Sequence, residues 1–203
     1  YWRDWSSDVC SSDLGSVQLV REAKARGQRI SCEVTPHHFM MTHEAIKTYG
    51  SQAKMNPPLR EQADIEAILQ GLADGTIDAI ATDHAPHAEH EKHCELALAA
   101  NGILGLETCI GLVISHLVKK DIISLNRMIE LLSIGPRTIL KLQQPSLAEG
   151  AQACLTIIDL DASWIPTPET SKSKSQNSPF YGAPLKGKPV FAFNNGQGIA
   201  SQL

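Results

Sequence analysis

The chain has 203 residues, 42% of them hydrophobic and 20% charged, with a formal net charge of −4. That balance is ordinary for a soluble globular protein of one or two domains, and it gives no reason to expect nucleic acid or an anionic membrane as a partner. No apolar run is long enough to span a bilayer; the five cysteines (Cys10, Cys32, Cys94, Cys109, Cys154) form no CxxC pair and read as reduced thiols of a cytoplasmic protein.

Residues 1–14, YWRDWSSDVCSSDL, show neither a helical nor a strand period, and they lack the long apolar core of a signal peptide. They read as a non-native-looking leader, a translated junction fused to the coding sequence. From Ser16 the pattern is regular. Val17, Val20 and Ala23 form the apolar side of a helix that closes at Gly27. Arg29 to Val34 reads as a strand ending at Thr35-Pro36. A second helix starts near Gln62, with Ile65, Ile68, Leu69 and Leu72 at helical spacing and Gly75 beyond its end. Ile77 to Ala81 is a buried strand after the turn signal Asp74-Gly75. Helix, strand, helix, strand is the alternation of a parallel α/β sheet or barrel.

Leu106, Ile110, Val113 and Leu117 give another amphipathic helix. Ser124 is a suitable N-cap for Leu125 to Leu132, and Pro136 suits the first turn of a short helix to Leu142. The character changes near Leu147. Leu155–Ile158 and Val190–Phe193 read as strands, the second closed by Asn194-Asn195-Gly196. Between them, the Pro-, Ser-, Thr- and Lys-rich stretch 166–179 reads as an exposed loop.

The chemistry concentrates in Ile77 to His87, IDAIATDHAPH, where the apolar strand ends in a carboxylate and two histidines. In a parallel α/β barrel, that end of the strand is where active sites are built. Taken alone, Asp83 is a turn or cap residue, and His84, His87, His90 and His93, recurring every third residue, suggest a metal-binding tract. Pro86 argues that the first two lie in a loop.

ATDHAPH resembles the end of the eighth barrel strand of the dihydroorotases, in the amidohydrolase superfamily. Three further motifs follow the same resemblance in order: Cys32 to His38 (CEVTPHH) resembles the end of the seventh strand, Lys54 to Arg60 (KMNPPLR) a substrate loop, and Asn101-Gly102-Ile103 with Gly105 to Thr108 the segment after the catalytic strand. Ala100 stands where many members have proline. The resemblance covers Ser16 to the C-terminus and implies the C-terminal part of a (β/α)8 barrel (15–146) with part of a small β domain (147–203). It implies a zinc-dependent cyclic amide hydrolase, binuclear when intact, that interconverts carbamoyl aspartate and dihydroorotate in pyrimidine biosynthesis. Asp83 would bind one zinc and carry a proton from the attacking water to the leaving ring nitrogen. His87 and Asn56 would hold the substrate, with Asn101 and Gly102 contributing backbone groups near the ring. His37, His38 and His84 would be structural, or would support the site from behind without touching metal or substrate. The family's first-strand HxH pair and its remaining ligands have no counterpart here, so the resemblance makes this chain a fragment, inactive by itself. Another cyclic amidase, an allantoinase or hydantoinase, and a non-catalytic dihydroorotase-like subunit are the alternatives. The implied partners are a small-molecule substrate and a second copy or another pyrimidine enzyme.

Overall fold

The computed structural model describes residues 8–194 and 196–200. Two three-stranded sheets organise it. The first is parallel, in the order β1 (Asp8–Cys10), β2 (Ser31–Val34), β3 (Ala79–Ile80). Helices α1 (Leu14–Ala25), α2 (Pro36–Met40), α3 (Ala45–Tyr49) and α4 (Gln62–Asp74) fall between those strands in sequence. After β3 come α5 (Glu89–Lys92), α6 (Cys109–Val113), α7 (Leu125–Ile129) and α8 (Gly135–Ile139). The second sheet is antiparallel and runs β4 (Leu155–Trp164), β5 (Leu185–Asn194), β6 (Gln197–Ala200). Among the described residues no helix is long and apolar enough to cross a membrane.

Local signals explain most boundaries. Asp13 caps α1 by accepting from the Ser16 N–H at 2.8 Å, and Gly27 at φ 73 follows its end. Glu61 and Asp64 form a reciprocal capping box at the start of α4, which stops at Gly75 in the left-handed region. Val17 and Val20 of α1, Ile68 and Leu72 of α4, Cys32 and Val34 of β2 and Ile77 beside β3 share one core. Burying a side chain such as Ile68 or Leu72 stabilises the fold by roughly 1.5–3 kcal/mol. The second sheet rests on α6: an added Cβ at Gly111 would lie 3.0 Å from both Leu185 and Trp164. Pro189, which lacks an N–H, sits opposite Ile158 in β5 next to an irregularity in the β4–β5 ladder.

Three elements differ from expectation. Residues 8–14 show no period in sequence yet are structured: Asp8–Cys10 pairs with Ser31–Glu33, the Ser11 N–H donates to the Glu33 carbonyl at 2.8 Å, and Ser11 and Ser12 are buried. A three-residue strand is too short to show a period of two, so its sequence carried no signal. The remainder of the leader, residues 1–7, lies outside the described residues. The helices begun by α6 and α7 each pass into a wider π turn, Ile114–Val118 and Glu130–Ile134. Finally, the 166–179 loop is only partly exposed, with Asn177 at 3%.

Candidate active site

β2 and β3 run parallel, so the segments after Val34 and Ile80 emerge at the same edge of the sheet. From β2 come Thr35, His37 and His38. Both nitrogens of His38 are engaged. The Pro57 carbonyl can only accept, so Nε2–H donates to it at 2.9 Å, and Nδ1 receives the Thr35 hydroxyl at 2.7 Å. Burial depresses the His38 pKa, opposed by its bond to Pro57 and by the negative charge of Asp83 nearby. His37 is 1% exposed and its Nε2 has no hydrogen-bond partner. Burial, with a smaller contribution from His38, pushes it down to about 3, so it is neutral at any physiological pH.

From β3 comes Asp83, an exposed residue held at φ 46. A left-handed Asp is tolerated because its short polar side chain can satisfy itself locally, yet its carboxylate makes no hydrogen bond among the described residues. His84 turns the other way: its Nδ1 accepts from the N–H groups of Gly105 and Leu106 at 3.1 and 3.3 Å, which makes it a fixed element of the wall. Gly105 is required by contact, because a Cβ there would lie 2.4 Å from the Thr82 carbonyl oxygen.

His87, Asn101 and Gly102, expected at the substrate, are linked to one another and to the loop that carries Asn56. His87 Nε2–H donates to the Asn101 carbonyl at 2.8 Å, and its Nδ1 faces Glu91 at 3.7 Å. Gly102, at φ 103, passes so close to the histidine loop that a Cβ would sit 2.6 Å from the Ala85 Cβ. Its N–H donates to the Lys54 carbonyl at 2.9 Å, tying it to the loop of Asn56. That loop is anchored by buried Met55 and Leu59, which pack with Ile103, Phe180 and Leu185, while Asn56 stays exposed with no hydrogen bond among the described residues. Both backbone groups of Gly102 are occupied. The free groups on this segment are the side chain and N–H of Asn101, narrower than the sequence expectation of backbone groups from both residues.

Two residues here escaped the sequence reading. Asn177 accepts the His87 N–H at 3.1 Å on its Oδ1 and donates through Nδ2 to the Ala85 carbonyl at 2.8 Å, although 90 positions separate it from His87. Lys92 is wholly buried, its ammonium donating to the carbonyls of Ala100 and Gly102 at 3.0 Å each. Desolvation, and then the charge of Lys54, depress its pKa. Lys92 lay in a polar histidine-rich run and Asn177 in a stretch of turn formers, so neither carried a pattern. As for a metal, Asp83 fits as a single oxygen ligand. No group of three metal-ligating side chains exists among the described residues.

An exposed carboxylate just past the end of a parallel strand stands where α/β barrels build their sites. Residues 10–197 match the amidohydrolase family, and the chain belongs to that family. The chain is 49% identical over 186 residues to a dihydroorotase of Geobacter sp. (strain M21), covering 92% of this chain and 44% of that one. It is 43% identical over 187 residues to a dihydroorotase of Acetivibrio thermocellus, with the same coverage. Among solved structures, the L-hydantoinase (dihydropyrimidinase) from Arthrobacter aurescens superposes with a TM-score of 0.89 at 29% identity, covering 96% of this chain and 44% of that one. The dihydropyrimidinase from Brevibacillus agri superposes at 0.87 with 21% identity and shares the fold. The chain therefore spans 44% of the length of these relatives. Its fold is part of an amidohydrolase-type (β/α)8 barrel, carrying β1–β3 and their helices, with part of a small β domain.

Proposed function

We propose that this chain forms part of the active site of a dihydroorotase, a hydrolase that opens dihydroorotate to carbamoyl aspartate, and closes it, in pyrimidine biosynthesis. The observation that carries this reading is the continuity of the site. The loop that carries both Asp83 and His87, the Asn101–Gly102 turn and the Asn56 loop, three separate stretches of sequence, are joined through the His87–Asn101 and Gly102–Lys54 hydrogen bonds. The dihydroorotase relatives at 43–49% identity support it, and the 29% identity to the hydantoinase favours that alternative less.

In the hydrolytic direction, the oxygen of a water molecule bonds to the ring carbonyl carbon, the ring C–N bond breaks, and the nitrogen takes a proton. Asp83, whose carboxylate makes no hydrogen bond among the described residues, would accept the water's proton and return it to that nitrogen. Asn56 can donate to and accept from the ring amide. The Asn101 N–H offers a donor to the substrate's carboxylate. His87 adds another once Nε2–H exchanges the Asn101 carbonyl for the ligand. Asp83 would also hold zinc, which when bound polarises the carbonyl under attack and acidifies water; a catalytic zinc takes about three protein ligands, so the others would come from parts of a longer protein. Residues 15–146 would then be barrel and 147–203 small domain. The substrate is a small molecule, and a cytoplasmic setting suits it.

The test is a substrate panel on a protein extended to the length of these relatives. Dihydroorotate turnover well above that of hydantoin, allantoin and dihydrouracil is the expected result. Preference for any of those three would replace this reading with the corresponding cyclic amidase. Loss of all four activities would favour a non-catalytic subunit.

A further inference from the structure

Lys92 is the largest of the fully buried side chains among the described residues, at 0% exposure, and it is a cation with no carboxylate partner among them. Burying an ammonium is costly unless every donor is used on a strong acceptor. Here the acceptors are the carbonyls of Ala100 and Gly102, one on each side of Asn101. Asn177, 3% exposed, converges on the same place: its Nδ2 reaches the Gly102 carbonyl at 3.4 Å as well as Ala85, and its own carbonyl accepts the Leu104 N–H at 3.0 Å. The remaining groups of this turn are also occupied. The Ala100 N–H goes to Glu91, the Asn101 carbonyl to His87 and the Gly102 N–H to Lys54. What remains is the Asn101 N–H, and it belongs to the same peptide unit as the Ala100 carbonyl that Lys92 holds. A charged donor on a peptide oxygen polarises the unit and strengthens its N–H as a donor.

We propose that Lys92 and Asn177 are positioning residues for substrate recognition: together they fix the 100–102 turn so that the polarised Asn101 N–H faces an anionic group of the ligand. This rests on the dihydroorotase reading for the identity of that group, a carboxylate on a cyclic amide ring. Lys92 and Asn177 do not touch the substrate; they act through one backbone donor.

The experiment uses the protein extended to its relatives' length and measures the affinity of orotate, a planar ring carboxylate, by calorimetry, with neutral dihydrouracil as control. Lys92→Gln keeps a donor and removes the charge. It is expected to weaken orotate by ~10-fold, the scale of one charge-assisted hydrogen bond, while dihydrouracil changes less than ~2-fold. In turnover the same variant should raise KM for dihydroorotate with kcat within ~3-fold. Asn177→Ala should act in the same direction by ~5-fold, and it decides the matter if Lys92→Gln does not fold. Unchanged orotate affinity in either folded variant overturns the proposal, as does equal loss for orotate and dihydrouracil, which is the mark of a merely structural role. The two readings fail separately. An unaltered protein that binds orotate without turning over dihydroorotate removes the functional reading and leaves the clamp to the variants, whereas absence of orotate binding removes both.

Discussion

Asp83 and His87 stand four positions apart, yet the structure gives them opposite circumstances. Asp83 is exposed, left-handed and without a hydrogen bond among the described residues, whereas His87 is bound at its backbone N–H by Asn177 and at Nε2 by the Asn101 carbonyl. His87→Ala should therefore raise KM for dihydroorotate by ~10-fold or more in a protein of the relatives' length, leaving zinc content unchanged. Steady-state kinetics beside elemental analysis checks this, and a loss of zinc would place His87 at the metal instead. Gly102→Ala would force a Cβ to 2.6 Å from the Ala85 Cβ at φ 103. It should cost about 1–3 kcal/mol of stability and raise KM as well, read by thermal unfolding and kinetics. At this scale the sequence was informative where a residue lay in a motif. It was silent on Lys92 and Asn177, because what makes them matter is burial and distant carbonyls, neither of which leaves a local pattern.

Among the elements, α4 shows how a helix can be read in advance. Ile65, Ile68 and Leu72 face inward at helical spacing, and the left-handed stop at Gly75 was visible as a glycine. Leu72→Ala removes a side chain of 0% exposure and should destabilise the protein by ~2–5 kcal/mol in denaturant unfolding. The β2 end carries a pH dependence. The folded pKa of His37 lies near 3, well below the ordinary imidazole value of 6.5, because burial disfavours the charged ring. Below pH 6.5 the unfolded chain gains a proton that the folded state refuses, so stability falls as pH drops from about 6.5 towards 3. The full effect is on the order of 4 kcal/mol, and His38, depressed in the same direction, adds to it. His37→Gln should flatten that acid limb in circular-dichroism melts recorded across the window. A variant as acid-sensitive as the parent would show that His37 titrates normally. The π turns after α6 and α7 were not legible, since apolar spacing does not separate an i→i+5 turn from a slightly irregular α-helix. Nor was β1, a strand of three residues, too short to show a period of two, that pairs with Ser31–Glu33 of β2.

At the scale of the whole molecule, the chain spans 44% of the length of its dihydroorotase relatives, and among the described residues it brings no three metal-ligating groups together. The (β/α) alternation and two strands of the later unit were readable from hydrophobic period and turn residues, whereas their antiparallel pairing, their full lengths and β6 were not. The closeness of the 166–179 loop to the histidine loop was not, because it arises from the packing of Phe180 and Leu185 against Met55, Leu59 and Ile103. By itself the chain should show no dihydroorotate turnover and bind no stoichiometric zinc at Asp83, measured on the purified 203-residue polypeptide. The central claim, that the carboxylate at the end of β3 carries the reaction's proton, is tested most directly by Asp83→Asn in a protein of the relatives' full length. Turnover of dihydroorotate should fall at least ~10²–10⁴-fold, with zinc content lowered and orotate affinity within ~3-fold of the unaltered protein. Near-normal turnover with full zinc would contradict the account.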